Sequence, residues 1–173
     1  MAIQSILKMG DSRLFERALP VERFDAQLHE LVKDMRETMT FLNGAGLAAP
    51  QIGVSLRVVI FGLQENPRYA DAEEIPDTVL INPSLSALGE EMAHGWEGCL
   101  SLPGLRGMVP RFNRVHYRGV DEHGRSINRQ VDGFHARVVQ HECDHLDGIL
   151  YPMRMDDLSR LGFEDVLFGD QKV

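Results

Sequence analysis

Between residues 21 and 43, Leu28, Leu31, Val32, Met35 and Met39 recur at steps of three and four with charged residues between them. On a helix that spacing lines the apolar side chains along one face, so residues 21–43 predict an amphipathic helix near the N-terminus. Asn43-Gly44 follows as a stop signal, because both residue types tolerate positive φ. The period then changes. Arg57 to Leu63 and Thr78 to Pro83 are rich in β-branched and apolar residues and read as strands. Gln64 to Asp77, with two prolines and several acids, reads as a surface loop between them. Arg114 to Val120 and Ser126 to Val131 flank Asp121-Glu122-His123-Gly124-Arg125 in the pattern of a β-hairpin. A second helix runs from about Phe134 to Leu146 and stops at Asp147-Gly148. Strands gathered between two helices, without strand–helix alternation, predict an α+β fold.

The whole-chain numbers narrow this picture. A length of 173 residues suits one domain spanning residues 1–173, and no repeat, low-complexity stretch or linker divides it. A hydrophobic share of 43% and a charged share of 25% are those of a soluble globular protein. With 18 Lys and Arg against 26 Asp and Glu, the net charge of -8 argues against a nucleic-acid-binding surface. No run approaches the roughly 20 apolar residues of a membrane span. Met1 to Gly10 has neither the apolar core of a signal peptide nor the arginines of a transit peptide, so a cytoplasmic location is expected and no membrane partner. In that setting Cys99 and Cys143 are expected as ligand, nucleophile or core residue rather than as a disulfide.

Chemistry concentrates on the second helix. His141-Glu142-Cys143-Asp144-His145 matches H-E-x-x-H. Residues four apart lie about 40° apart around a helix axis, so both imidazoles can meet one metal ion. Glu142, next to the first His, is placed to act as general base on a water there. Phe134, Val138, His141 and His145 share one face and Ala136, Val139, Cys143 and Leu146 another, so the helix is expected to be buried on two sides, with Cys143 in the core. The expected architecture is therefore mostly antiparallel strands packed around a central metal-binding helix. A catalytic site of this kind needs a third protein ligand. Glu164 stands near the distance a zincin-type metallopeptidase would require, whereas position 151, where a further His would serve, is Tyr151. Cys99, beside Gly98, is the stronger candidate, since a thiolate is a good ligand for Fe(II) or Zn(II).

Three segments in order resemble the motifs of the peptide deformylase family. Gly44-Ala45-Gly46-Leu47-Ala48-Ala49-Pro50-Gln51 resembles G-x-G-x-A-A-x-Q, Glu97-Gly98-Cys99-Leu100-Ser101 resembles E-G-C-x-S, and Gln140 to His145 resembles Q-H-E-x-D-H. The resemblance runs from about Ile6 to Pro152 and is of the bacterial type. It implies that Cys99, His141 and His145 hold one divalent metal, Fe(II) in the cell with Zn(II), Ni(II) or Co(II) able to substitute. It implies that Glu142 is the general acid and base, and that Gln51 and the backbone N–H of Leu100 donate to the oxygen that gains charge when the formyl carbon becomes tetrahedral. The implied substrate is the N-formylmethionyl end of newly made proteins, paired as a strand to backbone at Gly44, Ala45 and Gly46. Arg106 aligns with an arginine that contacts substrate in some members, and the helix face of Phe134 and Val138 would line the methionine pocket. The competing readings are the zincin, with Glu164 as third ligand, and a binding module that holds metal and peptide without turnover. Intact Glu142 and Gln51 argue against the latter.

Two departures from the family pattern stand out. Arg137 occupies a position, one turn before His141, that is usually apolar. A buried unpaired charge there is costly, so Arg137 is expected to reach solvent or a carboxylate, its guanidinium at the cleft mouth, attracting an acidic peptide or pairing with an acid and narrowing the entrance. The C-terminal tail carries Asp156, Asp157, Glu164, Asp165 and Asp170 against Arg160 and Lys172, which argues against ribosome docking through it. Such departures are compatible with a divergent second deformylase copy.

Overall fold

The computed structural model describes residues 3–63 and 74–169. Two sheets carry the fold. A five-stranded sheet has the order β1 (Gly46–Ala48), β2 (Val58–Leu63), β3 (Ile75–Ala87), β6 (Arg114–Val120), β7 (Ser126–Asp132), every neighbouring pair antiparallel. A three-stranded sheet has the order β4 (Met92–Cys99), β5 (Leu102–Phe112), β8 (Leu161–Phe163), again antiparallel. The helices are α1 (Ala26–Phe41), α2 (Gly133–Leu146) and the short α3 (Glu164–Phe168). The α+β expectation holds.

Alternation along β2 explains the layering. Val59, Phe61 and Leu63 pack with Ala136, Val139, Cys143 and Leu146 of α2. Val58 and Ile60, on the other face, pack with Leu28, Val32, Met35 and Met39 of α1. Strand side chains alternate between faces, so a strand sandwiched by two helices reads as an unbroken apolar run. α2 therefore lies inside the molecule, between the large sheet and the β4–β5 hairpin, whose own core joins Cys99, Leu102 and Val109 to Leu150 and Tyr151. Cys143 is a core residue, as expected, and both described cysteines are free thiols.

The first helix is shorter than the expected span of 21–43. The side chain of Asn82 accepts from Val21 N–H (2.8 Å) and donates to Val21 C=O (2.9 Å), which holds that stretch extended. Asp25 then caps the helix by accepting from the N–H groups of Gln27 and Leu28. Its end is as read: Asn43 takes the left-handed conformation (φ 51°) and Gly44 N–H donates to Met39 C=O. The hairpin of β6 and β7 and the second helix also form where expected. Of the loop expected over Gln64 to Asp77, residues 64–73 lie outside the described residues, and Ile75 to Asp77 belong to β3. The strands β4 and β5 are additions to the expected elements. No helix among the described residues is long and apolar enough to cross a membrane.

Candidate metal centre and active site

Cys99 ends β4, and Leu100 and Ser101 turn the chain into β5, where Leu102 pairs back to Cys99. One turn apart on α2, the rings of His141 and His145 lie with centroids 5.1 Å apart. The burial of α2 against this hairpin brings one donor atom from each of Cys99, His141 and His145 within 4.8 Å of one another, all three residues buried. Cys99 Sγ lies 3.4 Å from His145 Nε2. His141 donates from Nδ1 to Glu97 Oε2 at 2.8 Å, which leaves its Nε2 lone pair for a metal. A thiolate and two imidazoles, with one imidazole oriented by a carboxylate, suit Fe(II) or Zn(II), so the residues present fit the implied ion. These three residues form a metal-binding site.

Glu97 is the hub behind it. Its Oε1 accepts from Arg111 Nε (2.9 Å) and Arg137 Nη1 (2.8 Å), and its Oε2 from Arg111 Nη2 (3.0 Å) as well as from His141. Burial alone would raise the Glu97 carboxyl, but the bonds from His141 and Arg111 win and hold it well below the usual carboxylate range. Arg111 continues through Asp144 to Arg154, so the chain of charges runs from the metal site to the helical turn Tyr151–Arg154 that follows α2. Glu97 lies inside the second motif, yet it was not among the expected site residues. The signal was there: a ligating His needs an acceptor for its other ring nitrogen, and Glu97 stands two residues from the ligand Cys99.

A cleft opens in front of these donors. It is lined by Gln51, Cys99, Leu100, His141 and Glu142, and also by Gly44, Ala45, Gly46, Arg106, Phe134 and Val138, which are the sequence-predicted substrate residues; Trp96 joins them from β4. Glu142 is buried and its Oε2 meets no hydrogen-bond partner among the described residues. Burial pushes the Glu142 carboxyl up to about 7, the nearby His141 opposing. Its Oε1 occupies the space that a Cβ on Gly46 would take, so glycine at 46 is a steric requirement of Glu142. Gln51 is fixed at both ends: Ala48 N–H donates to its Oε1 (2.9 Å), and its Nε2 donates toward Cys99 Sγ (3.4 Å) and Ser101 Oγ (3.2 Å). Leu7 N–H donates to Gln51 C=O and Met9 N–H to Ser101 C=O, both at 2.8 Å, so the N-terminal segment braces the two loops that carry the cleft's donors.

Two expectations are corrected here. Glu164 is not near the imidazoles; its carboxylate pairs with Arg106 at 3.1 Å, and the third donor is Cys99. That removes the zincin reading. Arg137 does reach a carboxylate and lines the cleft, but its guanidinium is turned inward to protein acceptors rather than out to solvent. The residue is buried, and besides Glu97 it donates to the backbone C=O of Ala93 (2.6 Å), Val109 (2.8 Å) and, at 3.4 Å, Gly95. The inward path is open because Gly95 lacks a Cβ, which would sit 2.8 Å from Arg137 Cζ. The desolvation cost thus directs the side chain to internal acceptors rather than to water. Tyr151, at the position where a third His would serve, stacks at 26° on His141 with centroids 6.2 Å apart.

Known proteins bear the same pattern. The polypeptide deformylase family matches residues 3–161. The chain is 60% identical to peptide deformylase 1 of Nitrosomonas europaea over 172 residues, covering 99% of this chain and 98% of that one. It is 61% identical to peptide deformylase 2 of Ralstonia nicotianae over 169 residues, covering 97% and 96%. Among solved structures it resembles the Met-Ala-Ser-bound class I type b peptide deformylase of Acinetobacter baumannii (TM-score 0.85, 39% identity, 89% and 99% covered). It also resembles the peptide deformylase of Synechococcus elongatus in complex with actinonin (TM-score 0.82, 34% identity, 91% and 81% covered). With family, relatives and a Cys–His–His metal site in agreement, this chain belongs to the polypeptide deformylase family and is a metal-dependent hydrolase that removes the N-formyl group from peptides.

Proposed function

We propose that the chain is a single catalytic domain that works in the cytoplasm on the N-formylmethionyl ends of nascent proteins, with Glu142 as general base and acid and with Fe(II) at Cys99, His141 and His145. The observation that carries the assignment is the buried Glu142 carboxylate, with Oε2 unpartnered, in the same cleft as the three metal donors. When bound, the metal supplies Lewis-acid polarisation of the formyl oxygen and of the attacking water. Glu142 takes the proton from that water and delivers it to the departing amine, one carboxylate serving both steps. The amide of Gln51, held by Ala48 N–H, and the backbone N–H of Leu100 donate to the oxygen that becomes negative. The Gln51 side chain is held in place before the reaction starts, which limits the reorganisation needed to favour the transition state. Gly44, Ala45 and Gly46 offer backbone to an extended peptide. Phe134 and Val138 receive the methionine side chain, and Arg106 meets the peptide beyond it. That the Acinetobacter baumannii relative holds Met-Ala-Ser, a product-like peptide, favours this substrate. The acidic tail argues for action without ribosome docking through that segment, and the net charge of -8 against direct nucleic-acid binding.

The test is formate release from formyl-Met-Ala-Ser by protein purified anaerobically, with metal analysis of the same sample. Turnover with iron bound, lost in air, is expected, because ferrous iron and thiolate both oxidise. The nickel form should keep its activity in air. Equal loss in air by both metal forms would sink the iron assignment; no formate with either would sink the substrate reading.

A further inference from the structure

Arg106 and Glu164 form an ion pair that none of the roles above uses. Arg106 lies on β5, is buried, and lines the cleft together with Gly98 and Trp96. Its Nη2 donates to Glu164 Oε1 at 3.1 Å, while its Nε is buried and meets no acceptor among the described residues. Glu164 comes from the C-terminal segment. β8 pairs with β5, Gly162 opposite Arg106, and α3 begins at Glu164 directly afterwards. The same segment reaches the cleft a second time: Phe168 stands edge-on to Trp96 with centroids 5.1 Å apart. The Glu164 side chain is 33% exposed against 5% for Arg106, so the pair points from the cleft wall toward solvent. Because Arg106 lines the cleft, a peptide running along this wall passes the pair.

We propose that Glu164 is a specificity-determining residue: it cancels the charge of Arg106 at the outer end of the cleft, so that peptide side chains beyond formylmethionine are accepted with little regard to charge. The inference rests on the deformylase reading and refines it. Arg137 is the poorer charged partner, because both its Nη groups are turned to Glu97 and three backbone carbonyls. Arg106 has its Nη2 end held by Glu164, which leaves Nη1 as the end that can donate to a neutral acceptor such as a peptide carbonyl. Without the carboxylate the guanidinium would carry its full charge into the cleft, and an acidic side chain would be drawn to it.

The experiment compares kcat/KM on formyl-Met-Ala-Asp and formyl-Met-Ala-Lys for the parent protein, Glu164→Gln, Arg106→Met and the double variant. The Gln variant is isosteric and its site is part-exposed, so the fold is retained. The acidic-to-basic ratio should rise about threefold to fivefold in Glu164→Gln. The rise should come mainly through KM and shrink at high salt. In the Arg106→Met background, Glu164→Gln should leave the ratio unchanged. A ratio in Glu164→Gln equal to the parent's, or a rise that persists without Arg106, overturns the proposal. Parent protein that turns over neither peptide, nor formyl-Met-Ala-Ser, overturns the substrate reading instead.

Discussion

At the scale of single residues, the site separates holding a metal from using it. Three side chains supply the donors, and Glu142, though buried beside them, is not one of the cluster. Replacing its carboxylate, as in Glu142→Ala, should therefore leave metal content unchanged while kcat falls by about 10²-fold to 10⁴-fold, the usual worth of a positioned acid–base group. Metal analysis beside the formate assay checks this; metal loss matching that of His141→Ala would refute the general-base role. Gly46 shows the same economy from the other side. In the sequence it is expected only as backbone that pairs with substrate. The structure gives a second reason, since the missing Cβ is the room in which Glu142 stands.

At the scale of elements, Arg137 is a staple. Its guanidinium ties α2 to carbonyls of both β4 and β5 and to Glu97, and so fixes His141 against Cys99. Arg137→Ile would strand those acceptors and leave Glu97 one cation short. A loss of about 3–5 kcal/mol in urea unfolding is expected, as for removal of one partner from a buried ion pair. A variant within about 1 kcal/mol of the parent, the range of an exposed pair, would show that the staple is dispensable. The elements also show what was legible beforehand. α1 and the β6–β7 hairpin announce themselves by their periods, because each has one face buried and another less so, and α2 by its H-E-x-x-H spacing although it is buried on both sides. β4 and β5 do not, because Gly95, Gly98, Gly104, Gly107, Pro103 and Pro110 interrupt the strand pattern. Two of those glycines are where Arg137 and Arg106 press against backbone. The features that hid the hairpin are the ones that seat its charged partners. Likewise the motifs located the metal donors, whereas the burial of Arg137 depended on a neighbour, Gly95, more than 40 positions away.

For the whole molecule, the metal joins layers. Cys99 belongs to the smaller sheet, and His141 and His145 to the helix packed on the larger one, so an ion bound by all three ties the two halves of the core together. Metal binding of this kind is folding free energy. At a free metal concentration about 100 times Kd it adds about 2.7 kcal/mol, or a shift in Tm on the order of 5–10 °C for a chain of this size. Stripping the ion with a chelator and scanning in parallel with the loaded protein measures it. Identical Tm values would mean that the layers are held without help from the site.

The N-terminal brace has a consequence for how the protein comes into being. Leu7 and Met9 bond to Gln51 and Ser101, and Ala18 N–H bonds to Leu146 C=O, beyond the last metal donor. This stretch leaves the ribosome before its partners do and must wait for them, and the cleft cannot close until α2 is out. Pairings so distant along the chain are slow to form and leave apolar surface waiting. A stalled or truncated chain that stops before His145 would thus have its large sheet but lack the end of α2 and one metal donor, and quality control, rather than substrate, would be its first encounter.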